Sequence, residues 1–350
     1  MADDFLLYLF MFQAATIKQI AEALAVSPST VSRALRNSHE ISAKTKKRVL
    51  EYAQKINYHS NPIAVSLRNR RSNSIGVLVA DVANSFFSQT INGIESIAYE
   101  AGYHVIITQS HDSYEREVIN VGHLANRSVD GILISMSSHT TDYKHIVQLH
   151  ERGLPIVFFD RIIDEIQTFK VTTDNFKSAF EATALLIEKG FKKIGHLANA
   201  PQLSITVERL QGYLSALAAH HIEFDERLVK YCHEGGRNQL EIEEALNHFL
   251  SGAIEADALL IASDRLSTVT MRILNNNPDR AKTLTIIGFS NSDVIDLLSP
   301  RISFIRQSAF EMGQIAAQML IKLIESKYPV YEFETRLLDG ELHWRGNSKD

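Results

Sequence analysis

The chain of 350 residues contains a single cysteine, Cys232, which excludes an internal disulfide and any metal site built from several cysteine ligands. A lone thiol is typical of a reducing cytoplasm, where a buried cysteine acts as a small apolar residue. The 14 histidines are scattered, and the adjacent pair His220-His221 is more typical of a solvated surface than of a metal site. We therefore expect no metal site and no cofactor.

The sequence also lacks a long hydrophobic run. The one segment that resembles such a run, from Phe5 to Phe12, has eight residues, whereas a membrane-spanning helix needs about 20. Asp3 and Asp4 precede it, where a secretory signal would carry basic residues. We predict no membrane segment and a cytoplasmic protein, with residues 1–15 forming an extension outside the fold or marking an upstream start.

Three motifs of nucleotide-binding and hydrolytic enzymes are absent as well. The chain contains no G-x-G-x-x-G, no G-x-x-x-x-G-K-[ST] and no G-x-S-x-G. Their absence argues against an enzyme on a nucleotide-binding α/β fold. We therefore expect a protein that is not an enzyme and has no catalytic residues.

Charge is present but is distributed unevenly. The whole chain carries a formal net charge of −5, yet Thr16 to Ser72 contains 11 basic and three acidic residues. That segment therefore carries +8, and the part from Asn73 onward carries −11. A basic module fused to an acidic body predicts that a polyanionic partner binds at one end only.

Three short helices are predicted for residues 16–58, which we call the headpiece. Thr16 caps the first helix with Gln19 three residues on, Ser27 caps the second with Pro28 at its first position, and Ser42 caps the third. The side chains expected to face inward recur at helical spacing and are Ile17, Ile20, Ala21, Leu24, Val31, Ala34, Leu35, Val49, Leu50, Ala53 and Ile56. Two helices joined by a tight turn predict a helix-turn-helix unit.

The second helix carries its polar residues opposite the apolar stripe. They are short hydroxyl side chains and guanidinium groups near the start of the helix, namely Ser29, Thr30, Ser32, Arg33 and Arg36. Such groups reach base edges and phosphates in a DNA groove. The headpiece is therefore predicted to bind double-stranded DNA.

From residue 74 onward, continuously apolar strands alternate with helices, which predicts an α/β body with parallel sheets covered on both faces. The pattern starts again after Asp174-Asn175, so two doubly wound lobes are expected. A long helix from Ser308 to Lys327 precedes a hairpin-like end, in which Asp339-Gly340 supplies the turn. The N-lobe is predicted at about 74–173 plus 306–331 and the C-lobe at about 174–305 plus 332–350, after a linker at 59–73.

Motifs across residues 16–348 resemble the lac-repressor (LacI/GalR) family of bacterial transcription regulators. The matches in the headpiece and linker are Thr16-Ile17-Lys18-Gln19-Ile20-Ala21, Val26-Ser27-x-x-Thr30-Val31-Ser32-Arg33-Ala34-Leu35, Asn57-Tyr58 and Asn61-Pro62-x-Ala64-x-x-Leu67. Those in the body include Asn84-Ser85-Phe86-Phe87, Phe159-Asp160-Arg161, Thr173-Asp174-Asn175 and Arg209-x-x-Gly212-Tyr213. The resemblance implies an all-α headpiece, two periplasmic-binding-protein-like lobes, and a homodimeric repressor that binds a pseudo-palindromic operator.

The resemblance also implies which residues contact DNA. The helix that begins at Pro28 would lie in a major groove, with Pro28, Ser29 and Arg33 at the base edges and Arg33 paired with a guanine. Phosphate contacts would come from Thr16, Thr30, Ser32 and Asn37. The remaining predicted DNA-binding residues are Ser27 and Asn61. A solvated helix face is the alternative for Thr30 and Ser32.

The basic linker at 59–73 has few apolar groups and is expected to be mobile on its own. The resemblance implies that it folds as a hinge helix in the minor groove. Leu67 would then wedge between central base pairs and kink the duplex, and Ala64 would lie against the groove floor. The alternative for Leu67 is an ordinary linker residue that docks on the body.

The resemblance implies a small effector bound between the lobes, where the carboxyl ends of the strands face each other. The matching positions are Phe86, Phe87, Asp160, Asp174, Arg209 and Asp264. Acids, an arginine and aromatic rings suit a hydroxyl-rich ligand, so we expect a sugar or sugar derivative. Core packing is the alternative for the two phenylalanines, and a helix cap is the alternative for Asp174.

The chain departs from the family pattern at several positions. Ala25 stands where a glycine is usual, Ser290-Asn291 replaces an acidic pair, and Leu203 and Ile205 are apolar near a ligand-binding position. The last two departures argue against a charged, purine-like effector. A solute-binding protein of a transport system remains the alternative function, and the headpiece and the missing export signal argue against it.

Overall fold

The computed structural model describes residues 15–58, 71–127, 129–250, 254–277, 284–295 and 302–346. The chain divides into two compact units between Ser72 and Asn73. The headpiece belongs to the first unit and the body is the second. Within the described residues, no helix is both long enough and apolar enough to cross a membrane.

The headpiece consists of three helices, α1 (Ile17–Leu24), α2 (Pro28–Leu35) and α3 (Ala43–Lys55). All three predicted caps are confirmed, including the capping box in which Thr16 and Gln19 bond reciprocally. The buried apolar core comprises Ile20, Ala21, Val31, Ala34, Val49 and Ala53. The prediction that Leu50 faces inward is wrong, because this residue directly follows Val49 and each helical step turns the side chain by about 100°; Leu50 is 50% exposed.

The body contains two six-stranded sheets, which confirms the predicted α/β class. All strand pairs of the first sheet are parallel. Its spatial order is β11 (Thr335–Leu338), β5 (Lys170–Thr173), β4 (Ile156–Phe159), β3 (Gly131–Ile134), β1 (Ser74–Val79) and β2 (His104–Gln109). The second sheet is β12 (Gly340–His343), β10 (Ser303–Gln307), β9 (Thr285–Phe289), β8 (Ala258–Ile261), β6 (Ile194–Ala198) and β7 (Val229–Tyr231).

Helices follow most of the strands, as the alternating sequence pattern predicts. They are α4 (Ser85–Glu100), α5 (Tyr114–Asn126), α6 (Lys144–Glu151), α7 (Asn175–Glu188), α8 (Ser204–Ala219), α9 (Gln239–Phe249), α10 (Asp264–Asn275) and α11 (Ala309–Glu325). The chain passes between the sheets three times, from β5 to α7, from β10 to α11 and from β11 to β12. Because the parallel strands of each sheet end at the same edge, the loops after them collect on one side of that sheet.

The predicted hairpin around Asp339-Gly340 is wrong. Strand β11 pairs in parallel with β5 of the first sheet, and β12 pairs antiparallel with β10 of the second. Each strand covers a sheet edge that would otherwise be open. Gly340 is required by close packing rather than by a turn, since an added Cβ would lie 2.8 Å from the Ser178 hydroxyl. The pairing also moves β11 into the N-lobe, whereas the sequence division gave residues 332–350 to the C-lobe.

Two glycines allow α4 and α11 to cross with their backbones in contact. A Cβ added to Gly93 would lie 2.0 Å from the carbonyl oxygen of Phe310, and one added to Gly313 would lie 2.0 Å from that of Thr90. No real Cβ comes so close to a backbone atom, so any side chain at these positions must push the helices apart.

We expect Gly93→Ala to lower the free energy of unfolding by about 2 kcal/mol, the usual effect of overpacking. Gly122→Ala is the matched control, because Gly122 lies inside α5 with no atom within 4 Å of an added Cβ. That change should raise stability by up to about 1 kcal/mol through helix propensity. Urea unfolding of both variants measures the difference, and equal stability would contradict the close crossing.

His196 on β6 is fully buried and stacks on the ring of Tyr213, with 5.2 Å between ring centroids. Burial lowers its pKa to about 4, so the folded state holds the neutral ring. Below the ordinary pKa of about 6.5 the unfolded chain binds the proton first, and stability contributed by this residue is lost as the pH falls toward 4.

We expect the stability difference between the wild type and His196→Phe to shift by about 2 kcal/mol in favour of the variant between pH 7 and pH 5. Phenylalanine retains the stacking but cannot bind a proton. Urea unfolding of both proteins at the two pH values measures the shift. A difference that does not vary with pH would refute the role of His196.

Candidate functional sites

The exposed face of α2 carries most of the predicted DNA contacts. Pro28, Ser29 and Arg33 are exposed, whereas Thr30 and Ser32 are half-buried. Ser27 and Thr30 bond to each other through their hydroxyls at 2.9 Å, and the Ser27 oxygen accepts the amide of Thr30. The turn before this helix uses Ala25 in the left-handed conformation, with φ of 53°, so alanine fills the position where the family usually has glycine.

Several polar side chains of this face already have partners within the headpiece. Arg36 donates from Nε and Nη2 to the backbone and hydroxyl oxygens of Ser32. Lys46 on α3 donates to the side-chain and backbone oxygens of Asn37, at 2.9 and 3.2 Å. Arg33 forms an ion pair with Glu40 at 3.0 Å between Nη1 and Oε2. A DNA phosphate or base that binds one of these side chains must therefore share the side chain with its present partner or displace that partner.

Two predicted DNA contacts, Thr16 and Asn37, are exposed at the start of α1 and just after α2. The three predicted linker contacts, Asn61, Ala64 and Leu67, lie outside the described residues. Their roles in the minor groove therefore stay predictions.

A cavity lies between the two sheets of the body, at the carboxyl ends of their strands. Its walls come from the segments after β1, β2 and β4 on one side and after β6, β7 and β8 on the other. Five of the six predicted effector residues line it, namely Phe86, Phe87, Asp160, Arg209 and Asp264. Ile205, one of the two apolar departures, lines it as well.

Asp174 is not among the residues that line this cavity. Its side chain caps α7 by accepting the backbone amide of Lys177 at 2.9 Å, and its own amide donates to Leu338 at 2.8 Å. This geometry matches the helix-cap alternative. Asp174 therefore serves the crossover between the lobes, and its effector contact has no geometric support.

Arg209 is the most buried charged residue of the cavity, with 1% of its surface exposed. Its guanidinium lies 3.7 Å from the centroid of the Phe289 ring, donates from Nε to the side-chain oxygen of Asn175, and donates from Nη1 to the carbonyl of Ala262. Burial lowers the pKa of Arg209 to about 10, although the nearby Asp160 opposes the shift. At neutral pH the side chain is a cation, held by neutral oxygens and an aromatic ring.

Two buried carboxyl groups stand on opposite sides of the cavity. Burial raises the pKa of Asp160, partly offset by Arg161 and Arg209, and Asp160 adopts a left-handed φ of 59° directly after β4. Burial also raises the pKa of Asp264, which accepts the Asn291 amide at 2.9 Å and the Ser290 hydroxyl at 3.0 Å. Both groups can accept hydrogen bonds from ligand hydroxyls.

A second set of charged residues, which was not predicted from the sequence, joins the lobes across the cleft. Asp81 follows β1 and is paired with Arg265 of α10 and, at 3.8 Å, with Arg237. Arg237 also lies 3.7 Å from Asp112, which follows β2. We call these four residues, Asp81, Asp112, Arg237 and Arg265, the cleft ion pairs.

Asp112 is held further by Arg161, which follows β4. Burial alone would raise the pKa of Asp112, but the charge and hydrogen bond of Arg161 outweigh it and bring the pKa to about 2. The signal that could have found these residues is their position, because Asp81, Asp112 and Arg161 each stand within three residues of a strand's carboxyl end.

Neutral hydrogen bonds also join the lobes. The Gln89 side chain donates from Nε2 to the backbone carbonyl of Asn291 and accepts at Oε1 from the Asn291 side chain, both at 2.9 Å, and Gln307 donates to the Thr173 hydroxyl at 2.8 Å. Asn291, one of the departures noted above, thus holds both Asp264 and the opposite lobe. Within the part of the chain that the structure describes, no group of three or more His, Cys, Asp or Glu residues is arranged to hold a metal ion.

Two protein-family models match this architecture. One, described as periplasmic binding proteins and sugar binding domain of LacI family, matches residues 72–334. The other, described as bacterial regulatory proteins, lacI family, matches residues 16–61. Together they cover the headpiece and nearly all of the body.

Individual proteins are similar over the full length. The HTH-type transcriptional repressor CytR of Escherichia coli (strain K12) is 28% identical over 340 residues, which span 96% of this chain and 97% of CytR. The structure of a transcriptional regulator CelR–cellobiose complex is 27% identical, with a TM-score of 0.68 over 95% of this chain and 99% of that one. The lac repressor dimer bound to operator and the anti-inducer ONPF shares the fold, with a TM-score of 0.79, 22% identity, and coverage of 95% and 98%. The chain therefore belongs to the LacI family of bacterial regulatory proteins and is a DNA-binding transcription regulator with a ligand-binding body.

Proposed function

We propose that this regulator is a cytoplasmic repressor, without enzymatic activity, that binds a two-fold operator as a homodimer and responds to a neutral, polyhydroxylated ligand such as a sugar. The observation that carries the ligand class is the lining of the cavity. Asp160, Asp264 and Arg209 present carboxyl and guanidinium groups at a site that Phe86 and Phe87 border with aromatic rings. Carboxyl and guanidinium groups bind hydroxyls, and aromatic rings pack against the apolar face of a sugar.

Similar proteins support this proposal. CytR is described as a repressor, CelR is found in complex with cellobiose, and the lac repressor binds its operator as a dimer. The transport alternative has weaker support, because a headpiece that matches the lacI regulatory model has no role in a transport protein.

On the DNA side, we assign the base-reading role to Arg33 with Pro28 and Ser29, and the phosphate contacts to Thr16, Ser27, Thr30, Ser32 and Asn37. Arg33 is exposed and its guanidinium matches the acceptor pair of guanine in the major groove. Pro28 and Ser29 are short, so they shape the contact surface more than they bond to bases. The linker residues Leu67 and Ala64 keep their proposed minor-groove roles, and Asn61 remains a proposed DNA contact.

The lobes supply the coupling between ligand and DNA. The cleft ion pairs and the Gln89–Asn291 bonds favour the closed arrangement of the lobes. A ligand in the cavity competes with some of these contacts and adds others, so it shifts the balance between closed and open lobes. The ligand can change operator affinity only to the extent that it binds the open and the closed lobes with different affinities.

A thermal-shift screen of neutral sugars, acidic sugars and nucleosides against the full-length protein tests the ligand class. We expect neutral sugars to raise the melting temperature and to change affinity for a duplex selected by the protein from a random library. Stabilisation by nucleosides alone would overturn the proposed ligand class. The absence of any duplex preference, with or without these compounds, would overturn the DNA-binding role.

Asp81→Asn is expected to weaken binding of the sugar found in that screen by about fivefold, because partly exposed ion pairs contribute up to about 1 kcal/mol. The change removes the acid shared by Arg265 and Arg237, so the lobes open more often and the radius of gyration in small-angle scattering increases. Asp225→Asn is the control, since Asp225 pairs with Arg227 inside one lobe. Equal behaviour of the two variants would contradict the role of the cleft ion pairs.

A further inference from the structure

The loop between α2 and α3 places an acidic side chain beside the predicted base reader. Glu40 Oε2 lies 3.0 Å from Nη1 of Arg33, and the two side chains are 53% and 52% exposed. The region from Thr16 to Ser72 has only two other acids, Glu22 and Glu51. An acid at a surface that must approach phosphates weakens DNA binding in general, so its position next to Arg33 calls for a physical reason.

The loop is fixed in place by bonds to both neighbouring helices. Asn37 adopts a left-handed φ of 57° and is held by Lys46 of α3 through two hydrogen bonds. The Ser38 amide donates to the carbonyl of Arg33 at 3.0 Å, and the Glu40 amide lies 3.4 Å from the Ser38 hydroxyl. These bonds fix the loop backbone that carries Glu40 beside Arg33.

The pairing leaves a defined part of the guanidinium free. The ion pair with Glu40 involves Nη1 of Arg33, which leaves Nε and Nη2 to face the O6 and N7 acceptors of a guanine. A guanidinium held at one edge loses less conformational freedom when its other edge binds a base. By contrast, Nε and Nη2 of Arg36 both bond to Ser32, so the same edge is occupied in that residue.

We propose that Glu40 is a positioning residue that determines specificity: it orients Arg33 toward guanine and so favours duplexes that carry this base. The charge of Glu40 also repels the phosphates of every duplex, which lowers affinity uniformly, so discrimination depends on the orientation of Arg33 alone. The inference rests on the proposed base-reading role of Arg33. It adds a residue that itself makes no contact with the base.

The test uses the full-length protein and a symmetric duplex that the wild type selects from a random library. The guanine read by Arg33 is the base pair at which Arg33→Ala no longer discriminates. We expect Glu40→Gln to reduce preference for that base pair by about tenfold, within the range for a bidentate contact, and to bind random duplex more tightly. The double variant Arg33→Ala/Glu40→Gln should show the same base preference as Arg33→Ala.

Two further variants separate orientation from charge. Glu51→Gln removes another headpiece acid, which pairs with Lys47 at 3.9 Å, and should change affinity for all duplexes equally. Glu40→Asp keeps the charge but shortens the side chain, so it should lose part of the base preference. Full preference in both Glu40 variants, or a uniform rise in affinity with Glu40→Gln, overturns the inference.

Two other results would overturn the assignments on which the inference rests. If Arg33→Ala discriminates as well as the wild type at every base pair, Arg33 is not the reader and the inference is also overturned. If the wild type selects no duplex at all, the proposed DNA-binding function fails before Glu40 is tested. The two failures are distinguishable, because the first appears in the Arg33→Ala variant and the second appears in the wild type.

Discussion

Arg209→Met is expected to weaken sugar binding by at least about 100-fold. Hydrogen bonds to a charged group contribute about 1.5–3 kcal/mol each, and two such bonds to ligand hydroxyls give this factor. Arg209 is buried in the cavity wall, and methionine keeps an apolar stem against Phe289. Isothermal titration calorimetry with the sugar identified by the thermal-shift screen measures the loss.

The variant should otherwise remain a functional DNA-binding protein. Operator affinity without sugar should change little, because Arg209 lies in the body and its hydrogen bonds are to Asn175 and Ala262 of the body. Arg227→Met is the control, since Arg227 is exposed and pairs with Asp225; it should bind sugar as the wild type does. Wild-type sugar affinity in Arg209→Met would remove Arg209 from the proposed site.

Arg33→Ala is expected to abolish most of the preference for the selected duplex. A bidentate arginine–guanine contact contributes about 1–3 kcal/mol of discrimination, and a dimer on a two-fold site loses it twice, so preference should fall by roughly 30-fold or more. Binding to random duplex should persist and remain sensitive to salt, because the other ten basic residues between Thr16 and Ser72 still attract phosphates. Fluorescence anisotropy on selected and random duplexes, over a range of salt, gives both quantities.

Lys47→Ala is the matched control for charge. Lys47 is exposed on α3 and pairs only weakly with Glu51, at 3.9 Å, so its removal should weaken binding to both duplexes by a similar factor. The assignment of Arg33 requires the two variants to differ in the ratio of affinities. A ratio unchanged in both would show that Arg33 acts only through its charge.

The headpiece could be predicted almost completely, because its signals are local. The capping box of Thr16 and Gln19 and the cap at Ser27 act over three residues. The apolar stripes act over one or two helical turns, and only Leu50 was assigned to the wrong face.

The strands of the body were equally clear where they were continuously apolar, as in β1 and β8. The short strands β5 and β10 carry a weaker signal, because polar residues such as Lys170 and Arg306 make up much of their length.

The candidate effector site was predicted in part. Phe86, Asp160 and Arg209 belong to motifs shared with the family, and the structure places them on one cavity. Asp174 belongs to such a motif too, but it caps α7 instead. The positions of Asp81 and Asp112 after strand ends mark them as candidates, but their partners had no local signal, since Asp81 and Arg265 are 184 positions apart and become neighbours only when the two sheets meet.

The amino-acid sequence alone determined that a basic helix-turn-helix unit precedes two α/β lobes, because caps, helical periodicity and apolar strands depend on residues close together in the chain. Tertiary structure decided which strand covers which sheet edge, as Gly340 shows. It also decided which charges meet across the cleft and which acid stands beside Arg33. These pairings depend on where distant segments pack, and the free energy of such contacts is not encoded in any single stretch of sequence.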